Sequence, residues 1–118
     1  MAYTARETIT LDASGEAIQA LTESITGFIT DILVNKDGQT NNPTILIAEQ
    51  GGLGRTILNI TQTATGDNIY PVRESLVNNV NTSVGLYEHY FVETDLLVTI
   101  ASGDNAGTVT IQIQYIPV

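Results

Sequence analysis

Apolar side chains recur at every second position over most of the chain, the period of a strand with one face buried. Ile9 and Leu11 alternate with Thr8, Thr10 and Asp12, and between Ile25 and Val34 the residues Ile25, Ile29 and Leu33 recur with polar or small neighbours. Thr44 to Ala48 is a nearly continuous apolar run, which predicts a strand buried on both faces. Arg55 to Thr63 sets Ile57 and Asn59 against Leu58 and Ile60. Asn68 to Val72, broken by Pro71, reads as an edge strand or loop. Ser83 to Glu93 carries Tyr87, Tyr90 and Phe91. At the C-terminal end, Leu96 to Ile100 leads through Ser102–Gly107 into Thr108 to Ile116. There Val109, Ile111, Ile113 and Tyr115 alternate strictly with Thr and Gln, which predicts a closing β-hairpin. The exception is Ser14 to Ser24, where Ala17, Ile18 and Leu21 fall at helical spacing behind Ser14 as a cap. It reads either as a short turn of helix or as a β-edge.

Turn residues separate these runs. Asn35-Lys36-Asp37-Gly38 supplies the Asp-Gly pair that tolerates positive φ, and Gly51, Gly52 and Gly54 mark a loop. Thr, Ile and Val make up roughly a third of the chain, a β-branched bias that suits strands. Seven to eight strands with turn signals roughly every 8–14 residues predict an all-β fold. The expected architecture is an antiparallel two-sheet β-sandwich, jelly-roll or immunoglobulin-like. The 118 residues fit one domain over 1–118, with residues 1–7 as an extended N-terminal arm.

Charge then narrows the function. Four basic and thirteen acidic residues leave a net charge of −9, which argues against neutralising phosphates and so against a nucleic-acid partner. Only 14% of residues are charged, against roughly 25% in ordinary domains, and ample apolar content argues against disorder. Without Cys there is no disulfide, thiolate metal site or thiol nucleophile, and the single His89 cannot make a multi-His site. No run approaches the roughly 18 apolar residues of a membrane helix, so no membrane is expected. Met1 to Thr10 lacks the apolar core of a secretion signal, so synthesis in the host cytoplasm is expected.

Motifs for chemistry fail on inspection. Gly51-Gly52-Leu53-Gly54-Arg55-Thr56 lacks the Lys, the spacing and the following helix of a phosphate loop. His89, between Glu88 and Tyr90, has no nucleophile on a constrained turn, and reads as a surface or interface residue. The carboxylates are scattered, with no recognisable glycosidase pair, so no enzyme and no cofactor are expected. Asp67-Asn68 and Asp104-Asn105 offer oxygen ligands without a calcium-loop pattern, and the repeated Gly-Asp-Asn reads as two turns. Asn59-Ile60-Thr61 and Asn81-Thr82-Ser83 match the glycosylation pattern by chance in a chain rich in Asn and Thr. The residue types that anchor interfaces are then Tyr3 and Arg6 near the start, Arg55, and Tyr70 with Arg73.

An acidic, Cys-free, all-β chain of this size opens Tyr3-Thr4-Ala5-Arg6-Glu7-Thr8-Ile9-Thr10-Leu11. It ends with Tyr90-Phe91-Val92-Glu93-Thr94-Asp95-Leu96-Leu97-Val98-Thr99-Ile100 and Ala101-Ser102-Gly103-Asp104-Asn105-Ala106-Gly107-Thr108-Val109. In size, composition and strand style it resembles the decoration, or cement, proteins and minor head structural proteins of tailed bacteriophages. That resemblance implies a virion protein on the outer capsid surface, a trimer or dimer that binds the major capsid protein and stabilises the capsid. The rival expectation is a carbohydrate- or receptor-binding module, fibre tip or lectin-like. It lacks Trp for sugar stacking, although Tyr3, Tyr70, Tyr87, Tyr90 and Tyr115 substitute. A pilin-like subunit assembling by strand exchange is disfavoured by the missing secretion signal.

Overall fold

A computed structural model describes residues 3–51, 54–71, 73–77, 82–88 and 90–118; from 71 to 90 it describes the course of the backbone alone. The described elements are all strands. They are β1 (Tyr3–Thr10), β2 (Ala17–Ala20), β3 (Ile25–Asn35), β4 (Thr44–Glu49), β5 (Thr56–Thr61) and β6 (Asn68–Pro71). Then come β7 (Arg73–Val77), β8 (Thr82–Glu88), β9 (Tyr90–Thr94), β10 (Leu96–Ala101) and β11 (Thr108–Pro117). One sheet runs β1-β11-β3-β6, with β9 also on β3; the second runs β2-β10-β4-β5; β7 and β8 pair with each other. Strand β6 pairs with Asp31–Val34 and β9 with Ile25–Ile29, so the two share one position along β3, and the β7–β8 hairpin interrupts it.

With β6 and β9 as one position, the pairing is that of a long hairpin rolled up. The first strand pairs with the last, β2 with β10, β3 with β6/β9, and β4 with β5. This is the jelly-roll order of a β-sandwich; an immunoglobulin-like sheet would instead pair the first two strands with each other. The predicted closing hairpin is therefore corrected. Strand β10 lies in the four-stranded sheet and β11 in the five-stranded one. Positive φ at Ser102 (61°) and Ala106 (54°) turns the connection across the gap between sheets. Alternation reveals which face of a strand is buried and carries no information about which sheet it joins.

Asp37 (φ 51°) and Gly38 (φ 81°) form the expected tight turn, closed by Gln39 N–H on Lys36 C=O at 3.1 Å, yet it too leads into the other sheet. The segment Ser14–Ser24 resolves as the β-edge alternative, with β2 on the edge of its sheet. Residues 3–7, expected as part of an arm, run as the first half of β1 and pair with β11. Strand β4, expected to be buried on both faces, alternates instead: Ile45 and Ile47 are fully buried and Leu46 and Ala48 only partly, because no described layer packs over the outer face of its sheet. In β3 a register shift opposite Gln114/Tyr115 reverses the parity. Ile25 and Ile29 face inward, then Ile32 and Val34 do, and Leu33 points outward.

The core is built from β-branched and Leu side chains such as Ile9, Ile29, Ile47, Val98, Ile111 and Ile113, all at most 1% exposed. Four connections gather at one end of the sandwich and are hydrogen-bonded to each other. Gly103 N–H donates to Gly15 C=O (3.0 Å), Ala106 N–H to Asp12 C=O (3.0 Å) and Leu11 N–H to Gly107 C=O (2.8 Å). The buried Gln39 donates through Nε2 to Thr108 C=O and accepts Asp104 N–H on Oε1, both at 2.7 Å. The Asp104 carboxylate in turn accepts Thr40 and Asn41 N–H, each at 2.8 Å, tying the β3–β4 connection to the β10–β11 one.

A Cβ on Gly15, already at φ +73°, would lie 2.1 Å from Gly103 O, whereas one on Gly38 meets nothing within 4 Å. Gly15→Ala is expected to lose about 2–4 kcal/mol of stability and Gly38→Ala about 1 kcal/mol. Urea unfolding of the two variants checks this; equal losses would mean that the close approach at Gly15 is dispensable.

Candidate functional site

The register defines two broad outer faces. On the five-stranded sheet, Arg6, Gln112, Leu33 and Ile69 lie side by side across four strands, and Thr4, Gln114 and Asp31 form the next row. Beyond the bulge, Ile116, Phe28 and Phe91 are cross-strand neighbours. The two Phe rings pack at 5.2 Å with planes inclined by 57°. Phe28, Phe91 and Ile116 remain 40%, 37% and 38% exposed, and Ile69 65%. A shallow depression of about 180 Å³ between the rows is lined by Asp31, Leu33, Ile69, Gln112 and Gln114. Near the loop end the same face turns polar, with Thr8, Thr110 and Asn35 in one row. The backbone of the β7–β8 hairpin leaves the sheet between β6 and β9, along the edge of this apolar strip.

On the four-stranded sheet the outward positions are Ile18, Thr99, Leu46 and Asn59 in one row, Ala20, Leu97, Ala48 and Thr56 in the next, and Ala101, Thr44 and Thr61 at the loop end. Among these described residues none is charged.

The residues expected to anchor a partner do not converge. Arg6 stands on the apolar face, its Nη1 donating to Gln112 Oε1 at 2.9 Å. Tyr3 lies on the core-facing side of β1, half exposed at the open end, edge-on to Tyr115 at 6.0 Å. The Tyr115 hydroxyl donates to Glu23 (2.8 Å), and that carboxylate, with burial, holds the phenol above its usual range. Tyr70 packs half-buried against the core, donates to Gln62 Oε1, and has its pKa raised by burial. Arg55 lies in the β4–β5 connection of the four-stranded sheet. Its Nε meets Glu49 Oε1 at 2.7 Å and its Nη2 meets Oε2 at 3.1 Å. The side chain of Arg73, on β7, lies outside the described residues, as does His89.

The apolar strip escaped the sequence reading. Its signal is Ile116, which continues the polar series Gln112, Gln114 on the solvent side of β11. At the loop end the acidic residues serve the connections. Asp37 Oδ2 accepts the Thr108 and Thr110 hydroxyls, and Asp67 accepts Asn35 Nδ2 (2.8 Å). Both members of the Gly-Asp-Asn repeat thus hold turns. Among the described residues, no three His, Asp or Glu side chains are placed to hold a metal ion.

No family model matches the chain, and a search of curated proteins finds no match. Among solved structures, it is similar to a chain in the structure of infectious bursal disease virus Gx strain, at 12% identity with a TM-score of 0.35. The corresponding figures for the Gt strain structure are 12% and 0.37. Each likeness covers 98% of this chain and 32% or 33% of the other, so this chain spans about a third of the length of those it matches.

Glu49 is held below the ordinary carboxylate range chiefly by the Arg55 hydrogen bonds, and Asp104 by the N–H groups of Asn41 and Thr40. A carboxyl whose folded pKa is depressed contributes stability above its unfolded pKa and loses it as pH falls through the folded value. The urea midpoint is therefore expected to drop below about pH 4.5. Glu49→Gln should lower the midpoint at pH 7 and shrink the acid drop; parallel curves for the variant and the parent would contradict the assignment.

Proposed function

We propose that this chain is a structural protein of a virus particle, a jelly-roll module that sits on the outer surface of a phage head and stabilises it. It binds the major capsid protein lattice through the outer face of its five-stranded sheet. The observation that carries this reading is the strip of Phe28, Phe91 and Ile116, with Leu33, Ile69 and Arg6 beside it. Exposed apolar patches of this kind, containing aromatic and Arg side chains, mark protein interaction sites. Two further points support it. Jelly rolls recur in viral shells, although they also recur in lectins, so the fold weighs only by analogy. A net charge of −9 keeps such a module soluble before assembly and repels packaged nucleic acid.

A second reading has its own observation. The depression beside Asp31, Gln112 and Gln114 offers a carboxylate and two amides over an apolar floor of Leu33 and Ile69, a combination suited to a sugar's hydroxyls and ring face. The carbohydrate- or receptor-binding module thus uses the same face.

Binding to DNA-filled heads of the virus that carries this gene separates the two. Phe28→Asp and Arg6→Glu are expected to lower head occupancy at least about tenfold while shifting Tm by only a few degrees. Full occupancy by both variants would remove this face from the interface. Parent protein that ignores the heads but is retained on a glycan array would replace the capsid reading with the second one.

A further inference from the structure

Four of the described carboxylates are partly or fully buried: Glu7, Asp31, Glu49 and Asp104. Three of them are satisfied within the chain. Glu7 accepts from Thr22 and Gln19, Glu49 from Arg55, and Asp104 from Thr40 and Asn41. Asp31 accepts no hydrogen bond and meets no cation among the described residues. A shielded carboxylate without a partner costs free energy and calls for an explanation. It stands on the outer face of the five-stranded sheet because of a bulge. Gln114 pairs with Asp31 and Tyr115 with Ile29, so Thr30 is the extra residue, and Asp31 and Leu33 share the solvent side. Bulges re-aim side chains in this way and are common beside functional sites.

We infer that the depression beside Asp31 receives a cationic side chain, Lys or Arg, of the partner bound on this face. The inference rests on the reading of this face as the capsid-binding one, and names what the partner supplies there. Charge selects the occupant. An unpaired carboxylate in a chain of net charge −9 is best satisfied by a cation from another molecule. Among the described residues the face's own cation is Arg6, two strands away on β1, and it donates to Gln112 instead. The lining suits both parts of such a side chain. Leu33 and Ile69 form an apolar floor for its methylenes, and the Gln112 and Gln114 amides add oxygens for its N–H groups. The volume of about 180 Å³ is below the roughly 300–1,000 Å³ of small-molecule pockets and fits one inserted side chain. A sugar is the poorer match, because no aromatic ring lines the depression.

Partial burial sets the strength. Neutralising one side of an exposed ion pair changes affinity about two- to fivefold, and of a fully desolvated pair about thirtyfold or more. Asp31 lies between these limits, so its contribution to attachment is about tenfold.

Two measurements on the full chain test it. In the first, N-acetyl-arginine amide is titrated to about 200 mM at constant ionic strength and backbone amide NMR shifts are read. Its neutral isostere, N-acetyl-citrulline amide, is the control. Saturable shifts at Asp31, Leu33 and Gln112 with the arginine compound alone are expected, and Asp31→Asn should abolish them. In the second, attachment to heads is followed from about 50 to about 500 mM salt. Asp31→Asn should weaken attachment about tenfold and flatten its salt dependence, because the screened pair is gone. Its Tm should equal or exceed the parent's, since an unpaired carboxylate does not hold the sheet. Ile69→Ser trims the floor and reads the same site if Asp31→Asn fails to fold; it should weaken the titration and keep the salt dependence. No saturable shift, equal shifts with the citrulline compound, or saturation by methyl glycosides instead would overturn the inference. Full attachment by Asp31→Asn, or a Tm several degrees lower, would do the same. A stronger titration in Arg73→Gln would also overturn it, because the carboxylate's cation would then come from this chain. Heads left unoccupied by a parent that still binds the arginine compound would refute the capsid reading and leave the cation site standing.

Discussion

The fold depends on the contact of Gly15 with Gly103. A rolled hairpin sends consecutive strands to opposite sheets, so its connections must cross the gap at the end of the sandwich, where backbone groups lose their ladder partners. Here the β1–β2 and β10–β11 crossings satisfy each other: Gly103 N–H reaches Gly15 C=O, and Ala106 N–H reaches Asp12 C=O. That approach leaves no room for a Cβ on Gly15, while one on Gly103 would meet the side chains of Leu11 and Gln39. Gln39 then fills the position beside Gly103 and Gly107, supplying one donor and one acceptor to backbone that would otherwise be buried unpaired.

The seams along the sides are closed by the same means. On one side Glu7 of β1 accepts Thr22 N–H at 2.9 Å and the Gln19 side-chain amide, joining the five-stranded sheet to the edge of the other. On the opposite side the Tyr70 hydroxyl meets Gln62, which also donates to Ala64 C=O. Ends and seams are thus committed to holding the sandwich closed. The carboxylates and amides at these ends and seams are partners of loop backbone and of each other. What remains open is the pair of outer faces, one with an aromatic strip and a few charges, the other lined mainly by Thr, Ala and Leu.

Much of the fold was legible because most of the strands whose burial is described have one buried face. The alternation of Val109, Ile111 and Ile113 against Thr and Gln marks β11, and Asp37-Gly38 marks a turn that needs positive φ. Pro71 ends an edge strand where a missing N–H costs nothing. The site was less legible. Arg6 was picked out as an anchor and does stand on the apolar face, but Tyr70 proved to be a seam residue and Arg55 the partner of Glu49. Phe28 was invisible because the bulge in β3 shifts the parity between Ile29 and Ile32, so no regular period assigns it to the same side as Ile116.

By itself the sequence determined most of the local state of the chain: which segments are extended, which face of most of them is buried, and where the turns lie. These are properties of neighbouring residues, set by side-chain period and φ preference. Only the tertiary structure decided which sheet each strand joins, because pairing β1 with β11 or β2 with β10 depends on contacts about a hundred or eighty residues apart, and on whether Gly15 and Gly103 can meet. It also decided which apolar residues remain uncovered. Ile116, Phe28 and Phe91 come from three distant segments, and a patch exists only once hydrogen bonding has laid them side by side.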